Sequence, residues 1–279
     1  MTYRELWQQL VPIYGDEEAK SIARLVYDRM FGLSLTDICI GKDKQLSTND
    51  SKKLSEIAAR LLRNEPVQYV LGSESFGGRE FHVAPGVLIP RPETVMLPRL
   101  ARDYCRDLGH EAHILDIGTG SGCIAVSMAL DIPQAHVSAW DISPEALNIA
   151  RGNAREMGAE VDFVLQDALN APEDGDRWDV IVSNPPYICM QERSEMCANV
   201  LDYEPSTALF VPDDDPLLFY RAISRYARTA LKKGGHLLFE INPLYAEEMR
   251  ELLRGLLYNK VEILADEFGK QRFAIATRA

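Results

Sequence analysis

No stretch of this chain approaches the ~18 consecutive uncharged apolar residues that a membrane-spanning helix needs. Its opening, MTYRELWQQL, carries charge where a secretory signal would be apolar, so the expected location is the cytoplasm. Cysteine is scarce. Cys39, Cys105, Cys123, Cys189 and Cys197 are odd in number, lie far apart and form no CxxC, which argues against a disulfide framework and against a zinc knuckle. The histidines (His82, His110, His113, His136, His236) form neither HxxxH nor HExxH, so a metal-free site is expected. Basic clusters are missing as well. The net charge is −12, and residues 1–83 are close to balanced, so the excess negative charge lies beyond them. A duplex-binding protein draws much of its affinity from neutralising phosphates, and nothing here would do so; no direct nucleic-acid binding is expected. Low-complexity tracts and internal repeats are also absent.

What is present is ordinary globular material, 46% hydrophobic over 279 residues, enough for one large domain with a smaller one beside it. In the first seventy or so residues, Ala19, Ile22, Ala23, Val26 and Met30 recur at helical spacing, as do Leu54, Ile57, Ala58, Leu61 and Leu62. Gly15 and an acidic turn open the first of these helices, Gly32 closes it, and residues 47–50 offer caps for the second. The pattern then changes. Gly77-Gly78 sits between short aromatic and β-branched runs, as in a hairpin. The division expected is a helical substrate-recognition domain over 1–74, a β-hairpin linker over 75–92 and a catalytic domain over 93–279.

Within that last part, strands and helices alternate: HILDI (113–117), a helix from Cys123, HVSAW (136–140), a helix from Pro144, VDFVLQ (161–166) and WDVIVS (178–183). A helix over 216–231, a break at Gly234-Gly235 and the strand HLLFEI (236–241) follow, and two strands without an intervening helix end the chain. The expected fold is α/β, Rossmann-like, with a mostly parallel sheet and a C-terminal antiparallel hairpin at its edge.

Two local patterns carry chemistry. Gly118-Thr119-Gly120-Ser121-Gly122 follows a strand and opens a helix, where backbone can approach a ligand closely. Its GxGxG spacing departs from the dinucleotide fingerprint, because Cys123 stands where the third glycine would fall, and no Gly-Lys-Ser/Thr follows as in a P-loop. A tight turn is the bland alternative. Asp141 ends the next strand, where a carboxylate can accept both ribose hydroxyls; Ser143 and Pro144 already supply the helix cap that would otherwise explain it. Asp167 ends the third strand and is equally readable as an acceptor for an adenine amino group or as a turn residue.

Asn184-Pro185-Pro186-Tyr187 leaves the fourth strand at the carboxyl edge, where α/β ligands bind. The prolines restrict the backbone, so the Asn184 side-chain carbonyl and the Pro185 backbone carbonyl can converge as two acceptors for a planar NH2. Such a nitrogen is a poor nucleophile because its lone pair is delocalised. Two fixed acceptors stabilise the positive charge that develops as a methyl group arrives, with Tyr187 covering the planar group. The expected chemistry is methyl transfer to an amide or amino nitrogen beside a nucleoside-binding loop.

These motifs, together with EPVQYVLG (65–72), VLIPRPET (87–94), YEPSTALF (203–210), GGHLLFEI (234–241) and FGKQRFAIA (268–276), resemble the release-factor glutamine methyltransferases, the HemK/PrmC family, over nearly the whole chain. The resemblance implies a class I S-adenosylmethionine-dependent methyltransferase fold and a helical N-terminal domain that helps hold the release factor. It implies transfer to the glutamine of a Gly-Gly-Gln loop in peptide chain release factors. Gly118 to Gly122, Asp141, Asp167, Ala168 and Asn184 would line the cofactor site, Asn184, Pro185, Pro186 and Tyr187 would hold the substrate amide, and Asn184, Pro185 and Tyr187 would carry the catalysis. Val95, Asn242, Ala168 and the loop 212–215 depart from the family pattern. The acidic triplet in that loop reads as solvated. The same chemistry would serve an adenine amino-methyltransferase acting on DNA or RNA, which the charge disfavours. A binding protein that had lost the activity would not be expected to keep the Asn-Pro-Pro-Tyr motif.

Overall fold

Thr2 opens the chain's first helix, α1 (Tyr3–Tyr14), by accepting from the Glu5 N–H while Glu5 returns a bond to the Thr2 N–H. The helical spacing singled out above begins only at Ala19, because α1 buries just Leu6 and Leu10 and carries Pro12 inside it. Gly15 and Gly32 bracket α2 (Asp16–Phe31) as expected; Gly32 takes the left-handed conformation at φ 63° that lets the helix stop. A short α3 (Leu35–Cys39) precedes α4 (Thr48–Leu61), capped by Ser47, and α5 (Val67–Leu71). Leu6, Leu10, Ala23, Val26, Tyr27, Leu54 and Leu61 form the core of these helices. Arg60 joins α4 to α5: its guanidinium donates to both oxygens of Glu65, at 2.9 and 2.5 Å, and to the carbonyls of Tyr69 and Val70. The motif EPVQYVLG thus has a structural use, with Glu65 and the α5 carbonyls as the acceptors of one arginine.

The computed structural model describes residues 1–279 and resolves into two compact units: Met1–Ser73 with Cys197–Tyr203, and Glu74–Met196 with Glu204–Ala279. From the last residue of the first stretch onward, β1 (Ser73–Phe76) and β2 (Arg79–His82) form a hairpin through Gly77 and Gly78, both at positive φ. Then follow α6 (Met96–Cys105), β3 (His113–Ile117), α7 (Cys123–Asp131), β4 (His136–Asp141), α8 (Pro144–Met157), β5 (Val161–Leu165), β6 (Trp178–Ser183) and β7 (Ile188–Cys189). A short α9 (Ala198–Tyr203) falls in the first unit, and its Tyr203 hydroxyl donates to the Arg63 carbonyl there. Sequence order does not reveal this return of the chain. The remaining elements are α10 (Ser206–Leu209), β8 (Phe210–Val211), α11 (Leu218–Ala230), β9 (Leu231–Glu240), α12 (Ala246–Gly255), β10 (Asn259–Ala265) and β11 (Gln271–Thr277).

Seven strands make one sheet in the order β10-β11-β9-β6-β3-β4-β5. The pairs among β9, β6, β3, β4 and β5 are parallel, and β11 pairs antiparallel with both β9 and β10. Consecutive residues point to opposite faces, and both faces are apolar: Ile114, Val180 and Leu238 enter one core, Leu115, Ile181 and Leu237 the other. The expected break at Gly234-Gly235 is instead a passage. β9 runs through it with an irregular register against Trp178–Val180, and a Cβ on Gly235 would lie 2.9 Å from the Asp179 carbonyl oxygen.

Candidate functional site

The order β6-β3-β4-β5 places four carboxyl strand ends side by side, with Ser183 beside Ile117, Ile117 beside Trp140 and Asp141 beside Leu165. Every chemical residue singled out in the catalytic part follows one of these ends. The Ser183 hydroxyl donates to the Ile117 carbonyl at 2.6 Å, and the Gln166 N–H to the Asp141 carbonyl at 2.9 Å, which ties neighbouring ends together.

Gly118, Gly120 and Gly122 all have positive φ, at 77°, 57° and 82°. They do different work. Around the positions where side chains on Gly118 and Gly120 would stand there is nothing within 4 Å, whereas a Cβ on Gly122 would meet Ala150 of α8 at 3.0 Å. The first two keep space open and the third lets two helices approach. The Gly120 N–H donates to Asp141 Oδ2 at 2.8 Å and the Ser143 N–H to Oδ1 at 2.9 Å, which fixes the carboxylate beside the loop. Burial raises the Asp141 pKa, and the same backbone bonds oppose that rise. Beneath the loop, Thr119 donates to the fully buried Asp116 at 2.6 Å, and burial pushes the Asp116 carboxyl up to about 7. Asn153 of α8 donates to the Ser121 carbonyl and bonds the backbone of His82 in both directions, stapling the hairpin to the loop. Asp167 caps a short turn by accepting from the Leu169 N–H and the Asn170 side chain, and Ala168 packs on the core.

Beyond β6, the Asn184 amide nitrogen stands 3.5 Å from Thr94 Oγ1. Thr94 donates to Glu240 Oε2 at 2.6 Å, and the Tyr187 hydroxyl donates to Oε1 at 3.2 Å. Thr94 and Glu240 are 3% and 0% exposed. Burial first, and the neighbouring Glu93 charge, push the Glu240 carboxyl up to about 7 against the opposing effects of Thr94, Arg272 and Tyr187. Burial likewise raises the Tyr187 phenol, so it stays protonated and able to donate. The Asn242 side chain donates to the Tyr187 carbonyl at 3.2 Å and to Glu192, so the residue that departs from the family pattern braces the Asn-Pro-Pro-Tyr turn. Glu204 of YEPSTALF accepts from the Ile89 N–H and from Arg91 at 2.6 Å, anchoring the IPRPET segment that delivers Thr94. In the acidic loop, Asp213 accepts from the Gln191 N–H and Asp215 pairs with Arg221. Residue spacing alone could not find Thr94, Glu240, Asn153 or Asn242, since Thr94 and Asn153 come from outside the strand ends and Glu240 and Asn242 lie at and just after the end of β9.

A model of the PrmC N-terminal domain matches residues 6–72, and one of the methyltransferase small domain matches residues 94–203. A release factor glutamine methyltransferase of Bacteroides thetaiotaomicron is 48% identical over 272 residues, covering 97% of this chain and 97% of the relative. The chain belongs to the release factor glutamine methyltransferase family. Another member, from Streptococcus pneumoniae, is 39% identical over 93% of this chain and 91% of its own. Among solved structures, a T. Thermophilus 16S rRNA methyltransferase in complex with AdoMet and guanosine is similar with a TM-score of 0.53 and 18% identity, covering 74% of this chain and 50% of that one; this likeness concerns the fold. The fold is that of a class I S-adenosylmethionine-dependent methyltransferase, as expected, and S-adenosylmethionine is the methyl donor of this family.

The residues present fit that donor. Open space over Gly118 and Gly120 admits a ligand against the backbone. Each Asp141 oxygen has spent one lone pair on a backbone N–H and keeps another for a hydroxyl. Ile142, 63% exposed, offers an apolar surface next to that carboxylate.

Proposed function

We propose that this chain transfers a methyl group from S-adenosylmethionine to the side-chain amide nitrogen of the glutamine in the Gly-Gly-Gln motif of peptide chain release factors, in the cytoplasm. The observation that carries the reading is likeness over 97% of the chain to a relative of that name, with Asn184-Pro185-Pro186-Tyr187 at the strand end beside the glycine loop. Gly118, Thr119, Gly120, Ser121 and Gly122 take the donor against open backbone, Asp141 takes its ribose hydroxyls, and Asp167, Ala168 and Asn184 complete the lining. When bound, S-adenosylmethionine supplies a methyl group on a sulfonium sulfur that leaves as the neutral thioether of S-adenosylhomocysteine.

The protein's part is orientation and charge. Asn184 Oδ1 and the Pro185 carbonyl accept the two N–H groups of the glutamine amide and hold its plane, while Pro186 fixes the turn. Tyr187, tethered through its hydroxyl to Glu240, presents its ring to the amide. As the nitrogen gains its bond to carbon, positive charge grows there and the two acceptors stabilise it; one N–H proton then passes to water. Holding the reactants in line accounts for roughly 7–11 kcal/mol of such barriers. Residues 1–74 hold the release factor, 75–92 complete the hairpin begun at Ser73 and serve as linker, and 93–279 carry the reaction.

Mass spectrometry of unmethylated release factor and of a DNA oligonucleotide, each incubated with this protein and S-adenosylmethionine, tests the reading. One added methyl on the Gly-Gly-Gln peptide is the expected result. Methylated adenine with an untouched peptide would replace it by the nucleic-acid reading.

A further inference from the structure

The segment IPRPET and the end of β9 belong to motifs for which methyl transfer itself supplies no use, yet they meet behind Asn184. We propose that Thr94 and Glu240 form an orienting relay that determines which end of the Asn184 amide faces the substrate. The proposal rests on the reading that Asn184 acts as an acceptor.

The two ends of an asparagine amide have nearly the same shape and opposite hydrogen-bonding character. Facing a substrate NH2, the carbonyl end makes a bond, whereas the NH2 end sets donor against donor. Nothing in the Asn184 backbone chooses between them. The choice comes from a chain of single-hydrogen decisions. Ionised Glu240 has no hydrogen to give, so it accepts from Tyr187 at Oε1 and from Thr94 at Oε2. Thr94 has one hydroxyl hydrogen, and the 2.6 Å contact commits it to Glu240. Its oxygen can then only accept on the side facing Asn184, where the amide nitrogen lies 3.5 Å away. Drawing the NH2 end toward Thr94 turns the carbonyl end outward, as the reaction requires. Thr94 and Glu240 are positioning residues, since they act through Asn184.

Burial of Thr94 and Glu240 keeps water from substituting for the link between them, and the surroundings are specific. Tyr220 donates to the Glu240 backbone carbonyl, Cys123 lies near, and Glu93 and Arg272 are the charged groups facing the carboxylate. Arg272 is itself held by Asp266 at 2.9 Å and stands 3.6 Å from Glu93. A protonated Glu240 acquires a hydrogen, can donate it to Thr94, and frees the Thr94 hydrogen to turn toward Asn184. The preference for the carbonyl-out amide is then lost. Since the Glu240 carboxyl is pushed up to about 7, this switch falls within the range of a kinetic pH profile.

The test uses the full chain with purified unmethylated release factor and S-adenosylmethionine. Thr94→Val keeps the shape and removes the hydroxyl; it should lower kcat about tenfold while KM for the release factor and the calorimetric Kd for S-adenosylmethionine stay within about twofold. Thr94→Ser should recover most of the loss. The native kcat should fall on the acid side with an apparent pKa near 7, and Glu240→Gln, whose amide cannot titrate and can offer Thr94 a donor as the protonated acid does, should stay at the low acid-side kcat with no such limb. Unchanged kcat in Thr94→Val overturns the relay, as does a loss that Thr94→Ser does not restore. Should Thr94→Val fail to bind the methyl donor, the Glu240→Gln profile decides, and a persisting acid limb overturns the proposal. Asn184→Ala separates the two readings: if it loses kcat while Thr94→Val does not, only the relay falls, and if it keeps full kcat, the acceptor reading falls with it.

Discussion

Asn184 and Asp141 sit on neighbouring parts of one sheet edge and should fail in different ways. An acceptor used as charge develops contributes to the transition state more than to binding, so Asn184→Ala should lower kcat by about a hundredfold or more while the Kd for S-adenosylmethionine stays nearly unchanged. Equal losses in both constants would remove Asn184 from the reaction centre. Asp141, fixed by two backbone N–H groups and proposed to take the ribose hydroxyls, should behave oppositely. Asp141→Ala should weaken S-adenosylmethionine binding at least about tenfold by calorimetry, and should also leave those two donors without partners at a cost of about 1–3 kcal/mol each. A variant with native affinity would show that the ribose is held elsewhere.

At the scale of elements, glycines decide how closely the backbone layers approach. Gly122 opens α7 at φ 82° with Ala150 of α8 pressed against it, so Gly122→Ala combines left-handed strain with overpacking and should cost about 2–4 kcal/mol. A shift of the urea midpoint with unchanged slope would register it; an unshifted midpoint would mean that α8 moves aside freely. Gly235 plays the corresponding role in β9, where carbonyl oxygens of β6 and of Lys232 occupy the space of a side chain. Arg60 and Asn153 act between elements by collecting several backbone groups on one side chain, and Glu204 by holding the Ile89 N–H and the Arg91 side chain together, which is how a loop acquires a fixed path without regular structure.

For the molecule as a whole, two buried carboxyls shape the response to pH. Asp116 and Glu240 hold their protons up to about 7, well above the usual carboxylate range, so between about pH 4 and 7 the folded state binds more protons than the unfolded chain. Their contribution to stability is therefore complete below that window, declines as pH rises through it and is level above. Urea melts at pH 5.5 and 8 should show it, with Asp116→Asn narrowing the difference; an identical difference in the variant would relieve Asp116 of the role. Deleting residues 1–74, assigned here to the release factor, should raise KM for that substrate while S-adenosylmethionine still binds. Unchanged KM would move recognition to the catalytic part.

Much of this architecture is written locally. Short apolar runs in 113–117 and 178–183, Ser143-Pro144 at a helix start, Gly77-Gly78 in a hairpin and the glycine loop each act through their immediate neighbours, and so could be read in order along the chain. The residues proposed to carry the chemistry are equally local, because Asn184 to Tyr187 are contiguous. Other features were decided only by tertiary structure: the path of β9 through Gly235, the return of residues 197–203 to the first unit, and the meeting of Thr94, Asn184, Tyr187 and Glu240. Those residues span a sequence separation of 146 between Thr94 and Glu240. No periodicity reaches that far: a side chain's spacing says which face it occupies, and only the strand order says what stands opposite.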